Sequence, residues 1–383
     1  MLPPQNAEAP LPRVRRVVVR GLFGLYDHDI PLTDKPRVTI IHGPNGVGKT
    51  SVLRLVDAAL WGDAARVNGV KATAVEVSFD DGGARLAWPG NEGVWAQAGV
   101  LTSRADEARD RPLGPSRLIG VRRIEPVRGA NRAGRSVSRP SVDWVSQRIL
   151  TDYAGHLSAY GALAQRLDQS LLERLLALPP SGATPAKLAA LLEAVHATQD
   201  RLIALGLIEG VGAPRVEATA LAQLEPGRAD ALALSLSDAQ AKLAVWAPFA
   251  DRLEVLLRQV GGKLVHKTLR FYRDQGLVVT GADGFAIPLS ALSSGEQHEL
   301  VMTHALLFDV APNALVLIDE PELSLHVLWQ RRFIDDLIEI SDLVGFDALV
   351  ATHSPFIIGA HDDLLVDLDA RLDPPGDAAG AAR

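Results

Sequence analysis

Ile40-Ile41-His42-Gly43-Pro44-Asn45-Gly46-Val47-Gly48-Lys49-Thr50-Ser51 is the stretch whose reading decides the fold. An apolar run, Val38 to Ile41, feeds a glycine-rich turn, and Ser51, Val52, Leu53, Leu55 and Val56 follow at helical spacing. Gly43, Gly48, Lys49 and Thr50 satisfy the pattern G-x-x-x-x-G-K-[ST]. A strand that turns through glycines into a helix makes an anion site. Backbone N–H groups close around a phosphate, and the new helix points the positive end of its dipole at it. In this reading Gly43, Asn45, Gly46, Gly48 and Ser51 line the phosphates, Lys49 reaches the β- and γ-phosphates, and Thr50 ligates Mg2+. The stretch predicts a nucleoside-triphosphate site in an α/β chain.

Composition sets the bounds. The chain has 383 residues, 47% of them apolar, enough for two or more units with sizeable cores. Its 39 Lys and Arg stand against 46 Asp and Glu, a net charge of −7 that argues against coating nucleic acid with the whole surface. With no cysteine, disulfides, thiolate metal sites and cysteine nucleophiles are excluded. Met1 to Pro12 lacks the apolar core of a secretory signal, and no apolar run reaches membrane-spanning length. The expectation is a soluble, cytoplasmic protein with no membrane partner.

Outward from the loop, Val14 to Leu22 and Asp27 to Leu32 read as strands around a turn at Gly21–Tyr26. Val75–Phe79 and Ala84–Trp88 flank Asp80-Asp81-Gly82-Gly83 as a hairpin. From Asn91 to about Pro140 the pattern fades, apart from a strand at Leu118–Val121. Residues 117–139 carry seven arginines against one acid, Glu125, which reads either as a solvated loop or as phosphate recognition, of ATP or of nucleic acid. Few aromatics are interleaved there, so no base-stacking surface is indicated.

Ser141 to about Gly262 is mostly helical and lacks the sustained heptads of a long coiled-coil arm, predicting a compact helical insertion. Leu264–Thr280 and Phe285–Leu289 return to strand-like alternation. Leu315–Ile318 and Ala348–Ala351 are short, fully apolar runs suited to buried parallel strands, with a helix over Leu325–Ile340 between them and a last strand at Leu364–Leu368. The expected organisation is an N-terminal lobe at 1–140, the helical insertion at 141–262, a C-terminal lobe at 263–370 and a disordered tail at 371–383.

Three further stretches narrow the chemistry. Leu317-Ile318-Asp319-Glu320-Pro321-Glu322 ends an apolar strand in adjacent carboxylates, Asp319 placed to hold the Mg2+ shell and Glu320 to polarise a water for in-line attack on the γ-phosphate. Leu292-Ser293-Ser294-Gly295-Glu296-Gln297 precedes a helix. Its Ser and Gly can donate to phosphate, and Ser293 with Glu296 also reads as a capping box. Ala351-Thr352-His353-Ser354-Pro355 ends the next buried strand in a histidine, where a γ-phosphate contact is wanted.

Together these motifs resemble the ABC-type ATPase head shared by Rad50, SMC and RecF-like proteins: Walker A at Gly43–Thr50, signature at Leu292–Gln297, Walker B at Leu315–Glu320 and switch histidine at His353. The resemblance implies a P-loop NTPase fold with an N-terminal β-rich subdomain, ATP and Mg2+ as cofactors, and ATP hydrolysis as the activity. Gly21–Tyr26, Leu292–Leu300 and Glu320–His326 are similar to the AAA family ATPases of OLD-like type in bacterial anti-phage defence operons, such as the ATPase subunits of PARIS and Septu.

Such heads imply a homodimer, or a higher oligomer, in which two chains sandwich ATP. Ser293 and Gly295 of one chain then face the P-loop of the other, and Ser324, Leu325 and His326 lie where the D-loop crosses the interface. Where the group presents Gln then Arg after the Leu118–Val121 strand, this chain has Arg122 and Arg123, both assigned to the nucleotide. Arg122 cannot accept a hydrogen bond as Gln does, and Gln97 is a candidate for the missing acceptor.

The functional expectation is a sensor and scaffold ATPase controlling a separately encoded effector, a nuclease, in response to nucleic acid or a phage trigger protein. Residues 354–383 are too few for the TOPRIM nuclease domain of OLD proteins. The alternative is a RecF- or Rad50-like DNA-binding ATPase of repair or recombination. A transporter subunit is disfavoured by the helical insertion and the Gly-Glu-Gln signature.

Overall fold

A computed structural model describes residues 12–61, 69–89, 95–101, 116–120, 123–124, 142–179, 182–210, 221, 223–323 and 325–368. The chain divides into two compact units, residues 1–139 with 305–383, and residues 140–304.

The first unit holds two sheets around one helix. Its strands are β1 (Val14–Leu22), β2 (Tyr26–Pro31), β3 (Val38–His42), β4 (Ala74–Phe79), β5 (Ala84–Pro89), β6 (Trp95–Leu101), β7 (Ser116–Gly120) and β8 (Arg123–Ile124), with helix α1 (Lys49–Trp61) after β3. The strands β2-β1-β4-β5-β6 form an antiparallel sheet, the β-rich layer expected from the sequence. Strand β6 falls in the stretch where no pattern was legible.

On the Walker side of this unit stand β12 (Leu315–Asp319), β13 (Asp347–Ala351) and β14 (Leu365–Asp367), with α7 (Val327–Gln330), α8 (Phe333–Val344) and α9 (Pro355–Ile358). The labels β9–β11 and α2–α6 belong to the second unit. The second sheet runs β14-β3-β13-β12-β7-β8, parallel except for the β7–β8 pair. Residues 38–41 of β3, residues 315–318 of β12 and all of β13 are buried, as strands covered on both faces require.

Helix α1 packs against strands of both sheets, and Val52, Leu53, Val56 and Leu60 join Val17, Val19, Val75, Val77, Leu317 and Leu349 in one core. At the far end of the parallel sheet, buried Asp347 receives Nε and Nη2 of Arg13 and Nη2 of Arg37, tying the starts of β1, β3 and β13 together. Stranding that carboxylate would cost about 3–5 kcal/mol.

The helix expected over Leu325–Ile340 is broken. It is the short α7 and then α8, with a turn at Arg331-Arg332 between them. Gln330 ends α7 buried, its Nε2 donating back to the carbonyls of Glu322 and Leu325, so the chain is held at the point where a continuous helix would carry it away.

The second unit contains α2 (Val142–Leu176), α3 (Pro185–Ala204), α4 (Pro226–Ala244), α5 (Ala247–Gly261), a three-stranded sheet of β9 (Lys267–Tyr272), β10 (Gly276–Gly281) and β11 (Ala286–Ile287), and α6 (Ser294–Phe308), inside which the unit boundary falls. The alternation predicted as one run over Leu264–Thr280 is a hairpin turning at residues 273–275. Residues 263–304, grouped with the C-terminal lobe in the sequence reading, cluster with the helices instead. The cause is packing: Tyr153, Trp246, Phe249 and Phe271 bring α2, α5 and β9 into one aromatic core.

Helix α2 runs 35 residues, roughly 52 Å at helical rise. Its first turns are buried, while Leu157, Leu172 and Leu176 beyond Tyr153 are exposed. No described helix is long and apolar enough to cross a membrane.

Candidate nucleotide-binding site

Strand register brings the motif residues of the first unit to one edge. Ile41 pairs with Ala351 and Val366, and Ala351 pairs with Asp319, which pairs with Gly120. Strands β3, β13 and β12 therefore end level, and the loops after them emerge side by side. Ligands of open α/β sheets bind at this carboxyl edge. Because β13 lies between β3 and β12, the His353 turn is flanked by the glycine loop and by the Asp319–Glu320 strand end.

The glycine loop needs its glycines. Gly46 and Gly48 have φ of +93° and +95°, in the region that side chains rarely adopt. At Gly48 an added Cβ would also stand 2.4 Å from Leu22 Cδ2, so the β1–β2 turn presses directly on the loop. His28 of β2 supports it from the same side: its Nε2 lies 3.1 Å from the Val47 carbonyl. A carbonyl only accepts, so Nε2 carries the hydrogen. Burial holds the His28 pKa below the ordinary value, against the raising effects of Val47 and Asp27, which keeps the ring neutral. Tyr26 stacks on it with centroids 5.8 Å apart.

Lys49 opens α1, buried, with Nζ donating to the carbonyls of Gly43 at 2.6 Å and Pro44 at 3.1 Å. An ammonium has three donors, so it closes the loop on itself and still has one N–H for a phosphate. Thr50 Oγ1 donates to Asp319 Oδ1 at 3.0 Å, joining the P-loop helix to the end of β12. Asn45 and Gly46 lie in the loop and Ser51 in the first turn of α1.

The Asp319 pKa is raised. Burial is the main cause, the charges of Glu320 and Glu322 add to it, and the Thr50 hydrogen bond and Arg54 oppose it. A half-buried carboxylate that is costly to ionise, beside a hydroxyl oxygen, is a donor pair that a hard divalent cation would relieve, so the residues fit Mg2+. Among the described residues no group of three or more His, Cys, Asp or Glu could hold a metal alone.

Glu320 has φ of +45°, a strained value for a non-glycine residue, and its N–H donates to the Ala351 carbonyl at 2.8 Å. His353 Nδ1 lies 3.8 Å from Glu320 Oε1 and 3.2 Å from Glu322 Oε1. Sequence reasoning missed Glu322, Gln330 and His28. Only the Asp-Glu-Pro-Glu spelling pointed toward the first, and nothing local pointed to the others.

Ser293 and Gly295 belong to the second unit, at the start of α6. Ser293 N donates to Glu296 Oε2 at 2.8 Å and Glu296 N to Ser293 Oγ at 3.3 Å, a reciprocal capping box. Lys267 Nζ binds both Glu296 oxygens, at 2.8 and 2.9 Å. Burial works to raise the Glu296 pKa, but the Lys267 and Ser293 hydrogen bonds outweigh it and the net direction is down. A buried Lys263–Glu299 pair lies one turn further on. Of Arg123 only the backbone, in β8, is described; Arg122, Ser324 and the 371–383 tail lie outside the described residues, and of Gln97 only its place in β6 is described.

Residues 16–93, with the glycine loop, match the family model described as "AAA domain". Residues 214–359, with the signature, the Asp319–Glu320 strand end and His353, match the one described as "AAA domain, putative AbiEii toxin, Type IV TA system". No curated protein matches the chain. Among solved structures, it is similar to the SMC head domain from Thermotoga maritima, with 15% identity, 93% of this chain and 94% of that chain covered, and a TM-score of 0.41. It is likewise similar to the Smc head domain with an extended coiled coil bound to the C-terminal domain of ScpA from Pyrococcus furiosus, with 14% identity, 93% of each chain covered and a TM-score of 0.41.

Proposed function

We propose that the chain is an ATP-hydrolysing ABC-type ATPase. The observation that carries this reading is the Thr50–Asp319 hydrogen bond at 3.0 Å, which sets the P-loop hydroxyl on the strand-end carboxylate while Lys49 closes the loop beside them. Gly43, Asn45, Gly46, Gly48 and Ser51 cradle the phosphates with backbone and hydroxyl donors, and Lys49 neutralises the β- and γ-phosphates. Thr50 and Asp319 would hold Mg2+, which would supply charge neutralisation at the transferred phosphoryl group. Glu320 orients and polarises the attacking water, and His353 turns toward the γ-phosphate.

In the same reading two chains close around ATP, with Ser293 and Gly295 acting in trans, Arg122 and Arg123 contacting the nucleotide and the Leu325–His326 segment crossing the interface. The chain acts as a sensor and scaffold whose ATP-driven assembly controls a separately encoded effector, a nuclease of anti-phage defence. Two things support it: the resemblance of the Glu320–His326 and Leu292–Leu300 stretches to OLD-like defence ATPases, and the match of residues 214–359 to a family model whose description includes a toxin–antitoxin system.

The test of the site is nucleotide binding by Lys49→Ala. Removing the ammonium should weaken ATP binding by about 100-fold or more, in line with charge-assisted phosphate contacts, and abolish ATP-dependent association. Wild-type affinity in the variant, measured by calorimetry, would show that the glycine loop is not the phosphate site.

A further inference from the structure

Glu322 is the one carboxylate of the Asp319–Glu322 segment that the proposed reaction leaves without a task, and its side chain is 7% exposed against 30% for Glu320. The described contacts of its carboxylate converge on the His353 turn and use a single oxygen. Oε1 accepts from Thr352 Oγ1 at 2.8 Å and from the His353 backbone N–H at 3.1 Å, and His353 Nδ1 stands 3.2 Å from it. Glu320 Oε1 is further from that nitrogen, at 3.8 Å. Oε2 is buried and has no hydrogen-bond partner among the described residues. Burying a carboxylate with half its acceptors unused is costly, so what the first oxygen holds must offset that cost.

Neighbouring contacts leave this turn little freedom. Ser354 N donates to Thr352 Oγ1 at 3.0 Å, and Ser354 Oγ lies 3.2 Å from Gln330 Oε1, while Gln330 Nε2 binds the Glu322 carbonyl. The Glu322 backbone and its carboxylate are thus both fastened to the strand-end turn that carries His353.

We propose that Glu322 is a positioning residue for His353: it takes the Nδ1 edge of the imidazole and turns Nε2 outward, where the neutral ring accepts a hydrogen from water and only the doubly protonated ring donates to a phosphate oxygen. This rests on the ATPase reading for its purpose but not for its geometry. A carboxylate on one ring nitrogen fixes which tautomer the neutral ring adopts and which way it faces. Glu320 Oε1, 3.8 Å from the same nitrogen, is left the longer of the two contacts and available to water.

The test separates the two readings. Nitrogen-15 NMR of selectively labelled histidine, in the nucleotide-free full chain at alkaline pH, reports which nitrogen of His353 carries the hydrogen, whether or not the chain hydrolyses ATP. A His353→Gln spectrum assigns the signal. The hydrogen is expected on Nδ1 in the wild type and in Glu322→Gln, whose amide oxygen replaces the one working oxygen. In Glu322→Ala it is expected to move to Nε2. Turnover should follow the same order: kcat falls about 10-fold or more in Glu322→Ala with the ATP Kd held within about twofold, and Glu322→Gln recovers most of it. A wild-type ring protonated at Nε2, or an unchanged tautomer in Glu322→Ala, would overturn the assignment. If the Ala variant does not fold, the wild-type and Gln spectra still decide, because a hydrogen on Nε2 in either contradicts it. Loss of all ATPase activity in the wild type, with Nδ1 protonated, would instead reject the ATPase reading alone.

Discussion

Glu320 shows how one residue is aimed. Asp319 is the last residue of β12 and still paired with Ala351, so its carboxylate is fixed at the sheet edge beside Thr50. One residue later the backbone turns through φ of +45°, and the Glu320 N–H takes the Ala351 carbonyl. That conformation costs of order 1–3 kcal/mol in a non-glycine residue and persists where the surroundings over-determine it, often at functional sites. Adjacent carboxylates thereby face different surroundings: Asp319 is half-buried beside Thr50, and Glu320 is turned out of the strand with its side chain 30% exposed. Glu320→Gln keeps the shape and the backbone while removing the base. It should bind ATP as the wild type does and lower kcat by about 100-fold or more, the scale of a lost general base. A variant with wild-type kcat would remove Glu320 from the reaction.

At the scale of elements, the decisive fact is that β13 is inserted between β3 and β12 with all three ending level. Order and register together make neighbours of residues about 300 positions apart in sequence. The strands themselves were legible because a buried parallel strand is a short apolar run bounded by turn residues, and 38–41, 315–318 and 348–351 are that. Which strand lies beside which was not legible, since nothing in an apolar run names its neighbour. For the same reason no role for Glu322 or His28 was legible; their partners, Thr352 and Val47, are set by tertiary packing.

The hairpin turn at 273–275 was overrun because Arg270, Tyr272 and Leu277 keep the alternation going through it. The Leu292–Gln297 stretch, by contrast, supported two readings, a phosphate motif and a capping box. The structure displays the cap, and Lys267 locks it. The Glu296 pKa is depressed in the fold, so its contribution is present above the carboxylate's ordinary pKa and is lost as the pH falls through the depressed one. Glu296→Ala should therefore cost about 1–2 kcal/mol near neutral pH, the scale of a lost helix cap, and the cost should shrink in strong acid. Thermal melts of the two proteins across pH check it; a constant difference would assign the loss to packing instead of charge.

For the whole molecule, the two halves of the proposed site lie in different compact units. The P-loop, Asp319, Glu320 and His353 are in one, and Ser293 and Gly295 in the other. If the signature works in trans, a Lys49→Ala chain has a sound signature and no phosphate grip, whereas a Ser293→Arg chain has a sound P-loop and a blocked signature. Each is inactive alone because every site in its own homodimer lacks one half. Mixed, they form a heterodimer in which one site joins the Ser293→Arg chain's P-loop to the Lys49→Ala chain's signature, and is intact. ATPase activity should return above both parents, toward half of wild type in that heterodimer if the sites fire independently, and less if they are coupled. Ser293 also caps α6, so its replacement should cost about 1 kcal/mol, and the Ser293→Arg chain must first be shown to retain ATP binding and a cooperative melt. With crosslinking proving that mixed dimers form, no recovery at any ratio would reject independent sites built across two chains, because complementary halves brought together would have produced nothing.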